Sequence, residues 1–192
     1  ETEVDALDAQ NVKLTGNQTI GGTKTFSVDA IVNGLTVGRG AGNVLSNTIV
    51  GDAALTSNTT GQQNTIVGYA ALQYNTIGSY NTAIGNQSLI LNTGGSRNTA
   101  NGSTALYSNT IGINNTVIGE ASLYHNTTGS NNTALGKGTG GGITTGSGNS
   151  IFGANVAGLS ATLTNNIILA NGTGAIKAQN DGTDWIFSNN VS

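Results

Sequence analysis

An asparagine returns every 17 residues along most of this chain, at Asn47, Asn64, Asn81, Asn98, Asn115, Asn132, Asn149 and Asn166, with no insertion in seven steps. A period kept that strictly confines the chain to a repeat architecture, in which each unit is one supersecondary element that buries its apolar side against its neighbours. With the asparagine counted as position 0, position 1 is Thr except at Ser150 and Ile167. Positions 2 and 3 are mostly aliphatic, as in Ile66-Val67, Val117-Ile118 and Ile151-Phe152. Position 4 is Gly from Gly51 to Gly153 and then Ala170, and position 8 is Leu at Leu55, Leu72, Leu89, Leu106 and Leu123. A second Asn-Thr pair runs from Asn58-Thr59 to Asn126-Thr127 at positions 11 and 12, and a second Gly from Gly61 to Gly146 at position 14.

Each unit therefore carries two short apolar runs, each followed by glycine. Runs of this length rich in Ile, Val and Thr read as strands, and glycine lets the chain turn a corner between them. The expected fold is all-β, a β-roll or β-helix of stacked 17-residue coils with Asn and Thr forming ladders up the stack. Eight coil starts at about 4.8 Å each give a rod of about 38 Å. Composition alone points elsewhere: 8% charged residues, 5% aromatics and 30 glycines without proline, cysteine or methionine are the marks of disorder. Disorder does not require a period.

Neighbouring strand residues point to opposite faces, yet positions 2 and 3 are both apolar in most units. One can fill the coil; the other must be covered by something else. The same doubling is read at positions 7 and 8, in Ala71-Leu72 and Ala105-Leu106. A second apolar face repeated along a rod predicts a lengthwise oligomer interface. Three-fold closure, as an intertwined or side-by-side homotrimeric fibre, is the preferred expectation, with a dimer left open. Asn101 stands at position 3, where other units have Val, Ile, Leu or Phe. On a three-fold axis three such amides would meet, either as a hydrogen-bonded layer that helps fix register, the favoured reading, or around a water or ion. In the unit from Asn132, Lys137 to Gly142 reads K-G-T-G-G-G and lacks the Leu, which predicts a widened loop or a changed cross-section.

Three segments follow: an N-terminal connector over 1–29, the repeat shaft over 30–170, and a C-terminal β-hairpin that caps or connects over 171–192. The hairpin is read from an Asn180-Asp181-Gly182-Thr183 turn between two apolar runs, with Trp185 expected to cap the last coil rather than stack on a ligand. Leu14-Thr15-Gly16-Asn17-Gln18-Thr19-Ile20-Gly21-Gly22-Thr23-Lys24-Thr25-Phe26-Ser27 closely resembles the L-T-G-x-Q-T-I-x-G-x-K-T-F-S segment of bacteriophage tail fibres. Asn33 to Gly40 resembles the entry to their N-T-A-I-G repeat shafts. Such shafts often precede an endosialidase-type intramolecular chaperone that assembles the trimer and cuts itself off. An end at Ser192 is compatible with such removal, and the start at Glu1 without Met points to a fragment or processed piece. The N-T-A-I-G units are also similar to the head repeats of trimeric autotransporter adhesins, whose coil is shorter.

A net charge of −3 offers a phosphate backbone no attraction, and no apolar run reaches membrane-spanning length, so neither nucleic acid nor membrane insertion is expected. Enzymatic chemistry finds no constellation, and no cofactor or metal is implied. Glycoside hydrolysis needs two carboxyl groups about 5–9.5 Å apart, whereas Asp52 and Glu120 share position 5 four coils apart, about 19 Å along the stack. Asp181 and Asp184 belong to the expected turn. His125 is the single histidine, and Gly138 to Gly148 lacks the lysine of a phosphate loop. The aromatic residues Tyr69, Tyr74, Tyr80, Tyr107, Tyr124 and Trp185 are candidate glycan contacts, with the tyrosines read as scattered and forming no line. The functional expectation is the shaft of a trimeric, phage-type tail fibre on the virion, supporting host attachment through a tip that contacts a surface glycan or receptor. A bacterial cell-surface adhesin that itself binds glycans, outside the cell, is the first rival. An ice-binding solenoid with regular Thr arrays is the second, and a tailspike enzyme the third.

Overall fold

A computed structural model describes residues 30–32 and 35–187; the segment from Leu14 to Ser27 that carries the tail-fibre resemblance lies outside the described residues. The fold is a β-solenoid with a single 12-stranded sheet whose strands follow chain order. Strands β1 (Ala30–Val32) and β2 (Leu35–Gly38) form an antiparallel hairpin. Eight parallel strands follow: β3 (Thr48–Val50), β4 (Thr65–Val67), β5 (Thr82–Ile84), β6 (Thr99–Asn101), β7 (Thr116–Ile118), β8 (Thr133–Leu135), β9 (Ser150–Phe152) and β10 (Ile167–Ala170). Strand β11 (Ile176–Asn180) then pairs antiparallel with β10, and β12 (Trp185–Phe187) antiparallel with β11, with the expected turn between β11 and β12. The shaft boundary drawn at residue 30 thus encloses a hairpin ahead of the first parallel coil.

The register is the sequence period. Thr48 pairs with Thr65, Ile49 with Ile66 and Val50 with Val67, and the same 17-residue offset continues to Leu169. Position 2 points inward: Ile49, Ile66, Ala83, Ala100, Val117, Ala134, Ile151 and Ile168 are fully buried. Position 3 points out. The alternation expected of a strand therefore holds where the strand is.

It fails in the second apolar run, which is a turn and not a strand. Positions 7 and 8 are both interior, as Ala71-Leu72 and Ala105-Leu106 show, so the second doubling supplies no outward apolar face. The reason is the backbone. Positions 6 and 8 lie in the left-handed region, with Ala70 at φ 52° and Leu72 at φ 53°, and the pattern repeats at Gln87 and Leu89, Thr104 and Leu106, and Ala121 and Leu123. Left-handed geometry costs about 1–2 kcal/mol for a residue with a side chain. Burial of a leucine contributes about 1.5–3 kcal/mol, and the turn is also tied to its neighbours: Leu72 N–H donates to the Ser88 carbonyl of the next coil (2.9 Å) and Ala70 N–H to the Asp52 carbonyl of the previous one (2.9 Å).

Two buried asparagine columns hold the other side of the coil. At position 0, Asn64 N–H donates to Asn47 Oδ1 (2.9 Å), while Asn64 Nδ2 donates to the Gly78 carbonyl (3.0 Å). At position 11, Asn75 Nδ2 donates to Asn58 Oδ1 (3.1 Å) and to that same Gly78 carbonyl (3.0 Å). Both columns thus converge on position 14, where a Cβ would collide with the adjacent Asn oxygen and with the next coil's carbonyl; only glycine fits. At position 12, threonine hydroxyls donate to the carbonyl 17 residues on, as from Thr76 to Thr93 (3.0 Å).

The unit from Asn132 keeps this path at positions 6 and 8. Gly138 and Gly140 take the left-handed angles of positions 6 and 8, and Gly138 N–H makes the usual bond back to Glu120 (2.8 Å). What changes is the filling. Gly140 replaces the leucine, Leu123 from the coil below leans into that space, and Ile143 takes position 11 with full burial. The asparagine column consequently stops at Asn126, whose Oδ1 is the buried side-chain polar atom left without a partner among the described residues.

Candidate interaction surfaces

The outer face of the sheet carries two parallel rows. One is the position-1 threonines, the other the position-3 row Val50, Val67, Ile84, Asn101, Ile118, Leu135, Phe152 and Leu169. Members of the apolar row remain substantially accessible, Val67 at 41% and Ile118 at 45%. Because the strands pair without offset, these side chains stand directly above one another at about 4.8 Å intervals. The result is a continuous apolar seam over eight strands. Asn101, exposed between Ile84 and Ile118, is its one polar step.

The aromatic candidates do not gather into one site. Tyr69 sits at position 5, Tyr74 at position 10 and Tyr80 at position 16, where the Arg97 guanidinium of the next coil lies 5.5 Å from its ring centre. Such a contact is worth about 0.5–1 kcal/mol at an exposed site. Tyr107 and Tyr124 correct the expectation of no line: both occupy position 9, and their rings stack at 4.7 Å with 9° between planes. His125 meets the Tyr124 ring nearly at right angles, 4.9 Å away. The period itself carried that signal, since 107 and 124 differ by one repeat.

Trp185 does not cap the last coil. It lies on β12, 47% exposed, stacked on Phe187 at 6.1 Å. The end of the core is covered instead by Leu159, Leu163, Ala170 and Ile176. Alternation explains the change: β12 follows an antiparallel turn that carries it two strands away from the coil interior.

Glu120, Lys137 and Asp181 make structural contacts. Glu120 and Lys137, stacked at position 5, form an exposed ion pair at 3.0 Å. Asp181 accepts from the Thr183 hydroxyl (2.6 Å) and from Thr183 N–H (3.1 Å), bonds that hold its carboxyl below the usual range. It is a turn-former, as its place between β11 and β12 requires. Among the described residues no group of three or more His, Cys, Asp and Glu side chains is arranged to hold a metal, and no helix is long and apolar enough to cross a membrane. Comparison with protein families, curated proteins and solved structures finds no match to the chain.

Proposed function

We propose that the chain is a rigid shaft of a trimeric, phage-type fibre that supports host attachment, with the position-3 row as the seam between protomers. The observation that carries this reading is the in-register apolar row on the outward side of all eight parallel strands, broken at Asn101 alone. A soluble rod with such a stripe lowers its free energy by covering it, at about 25 cal/mol for each Å² of apolar surface removed from water. Self-association along the rod covers the whole stripe at once, and a closed symmetric arrangement leaves none of it exposed. Rigidity comes from the ladders, reach from the number of coils, and avidity from several copies of a tip held on one axis. Three-fold closure follows the resemblance of Leu14 to Ser27 to phage tail fibres.

Sedimentation equilibrium on the purified chain tests it. A mass three times that of one chain is expected, and paired Val67→Asp and Ile118→Asp substitutions, which face outward and leave the core alone, should release folded monomers. A folded wild-type monomer at micromolar concentration overturns the proposal, and thermal hysteresis from that monomer would transfer the Thr and apolar rows to an ice-binding role.

A cell-surface adhesin of the same architecture, with the shaft itself binding glycans, is the second reading. The Tyr107–Tyr124 stack favours it, because an aromatic face left free at the end of such a stack suits the C–H face of a sugar ring.

A further inference from the structure

We infer that the corner above Tyr124 is a binding site for one ring of a neutral glycan, with Tyr124 as its floor. The inference deepens the adhesin reading and rests on it for its use.

Stacking at position 9 covers one face of Tyr124 with Tyr107. The next residue up the column would cover the other face, but positions 9 and 10 of that coil are Gly141 and Gly142, and position 9 of the coil beyond is Gly158. A Cβ on Gly141 would meet only the Gly138 carbonyl, 3.8 Å away, and one on Gly158 would meet nothing within 4 Å. The position-9 column is therefore open across two coil heights, about 9.6 Å, directly above an aromatic ring, while position 10 is closed at Gly142 by the Leu159 backbone.

A second observation falls at the same place. In the four preceding coils the N–H of position 10 donates to the carbonyl of position 9 in the next coil: Ser57 to Gln73, Tyr74 to Ile90, Leu91 to Tyr107 and Ser108 to Tyr124, at 3.0 to 3.2 Å. His125 N–H and the Gly141 carbonyl, next in that series, do not make this bond. His125 is exposed and Gly141 half-buried, so one backbone donor and one acceptor face solvent beside the ring and are free to meet a ligand.

An apolar face bordered by one donor and one acceptor matches a pyranose, which offers a C–H face for stacking and hydroxyls that both donate and accept. The ligand should be uncharged, since positions 9 and 10 hold no Asp, Glu, Lys or Arg from residue 56 to residue 159. The net charge of −3 disfavours a nucleic acid, the other polymer with stackable rings. Position 9 lies beyond the left-handed turn that leaves the strand, off the sheet face, so occupancy does not compete with the proposed seam.

Saturation-transfer NMR with maltotriose, cellotriose and chitotriose, and adenosine as the planar control, tests the site. At least one trisaccharide should bind, and Tyr124→Ala should weaken it about tenfold, the loss of one aromatic stack. Gly141→Tyr should do the same by extending the stack over the open face, and it keeps the test valid if the alanine variant folds poorly. Ile111→Ala, which removes an exposed side chain at position 13, should leave binding unchanged. Trisaccharide binding that survives both Tyr124→Ala and Gly141→Tyr overturns the site while leaving the adhesin reading in place. Binding of adenosine alone, or of no probe, overturns both.

Discussion

The coils from Asn64 to Asn131 and the coil from Asn132 to Gly148 share a backbone but not an interior. In the first group a leucine at position 8 fills the centre and an asparagine at position 11 bonds to the coil below and, in every coil but the last of the group, to the coil above. In the second both are gone, replaced by Gly140 and Ile143, and the path of the chain is kept apart from the bond between positions 10 and 9 that His125 and Gly141 do not make. The backbone course is therefore set by the hydrogen bonds between coils and by the glycines at positions 4 and 14, while the filling can be exchanged in compensating pairs. The exchange leaves marks: an unpartnered Asn126 Oδ1 inside and an uncovered Tyr124 ring outside.

The largest contrast should come from adding one methyl group. Gly95→Ala places a Cβ against Asn92 Oδ1 and the Gly112 carbonyl, both fixed within ladders, and should destabilise the chain by about 3 kcal/mol in chemical unfolding, the upper end of overpacking costs. Gly141→Ala, in open space without left-handed strain, should be neutral or stabilising by about 0.4–1 kcal/mol. Equal costs at the two sites would mean that the ladder is softer than its geometry implies.

The asparagine column offers a finer comparison. Asn92 donates to Asn75 Oδ1 (2.8 Å) and the Gly95 carbonyl (2.9 Å) and accepts from Asn109 (2.8 Å). Its replacement by alanine leaves buried groups above and below without partners, and should cost about 2–3 kcal/mol. Asn126→Ala removes a residue that already lacks a bond on its upper side, so its cost should be lower by about 1 kcal/mol. Ile143→Asn would supply the missing donor. Relief of that buried acceptor should offset most of the lost apolar burial, leaving a net change within about 1 kcal/mol, whereas Ile66→Asn, in the strand core away from either column, should cost several times as much.

The smallest effect separates the coils from the terminal hairpin. Asp181 is the group whose carboxyl is held below its ordinary range, chiefly by the Thr183 hydroxyl and then by the Thr183 amide. A depressed carboxylate contributes stability above its unfolded titration range, and the contribution is lost as pH falls through the lower, folded value. Acidification should loosen the turn between β11 and β12, seen as amide shifts at Thr183 and Asp184, while the interior coil amides, with no titrating side chain among them, stay in place. Asp181→Asn should abolish the pH dependence of those shifts.

Much of this was legible in the chain before its coordinates. The period set the register, the Thr-aliphatic-aliphatic-Gly run marked the strand, and adjacent apolar residues at positions 2 and 3 implied one inner and one outer row, as Ile66 and Val67 show. The second run was misread for a physical reason. Leucine and alanine seldom occupy left-handed backbone, so local preference argued for a strand at Ala71-Leu72; neighbouring coils above and below make the unfavourable angles the ones that close the hydrogen bonds. Trp185 misled in the opposite direction, since a large apolar side chain suggests a core and here lies on the last strand. The Tyr107–Tyr124 stack required only that the period be applied to turn residues as strictly as to strand residues.

The reversals of direction at the two ends have a consequence of their own. A parallel stack presents at each terminus the template for one more identical layer, and with every step alike nothing in it would halt accretion of further copies tip to tail. Here β2 runs against β3 and β11 against β10, and the outermost described strands, β1 and β12, are three residues long, so each end of the described stack offers a short hairpin edge in place of a full 17-residue layer. Identical coils thus give way to hairpins at both ends of the described stack, and the surface that repeats without interruption is the one along its flanks.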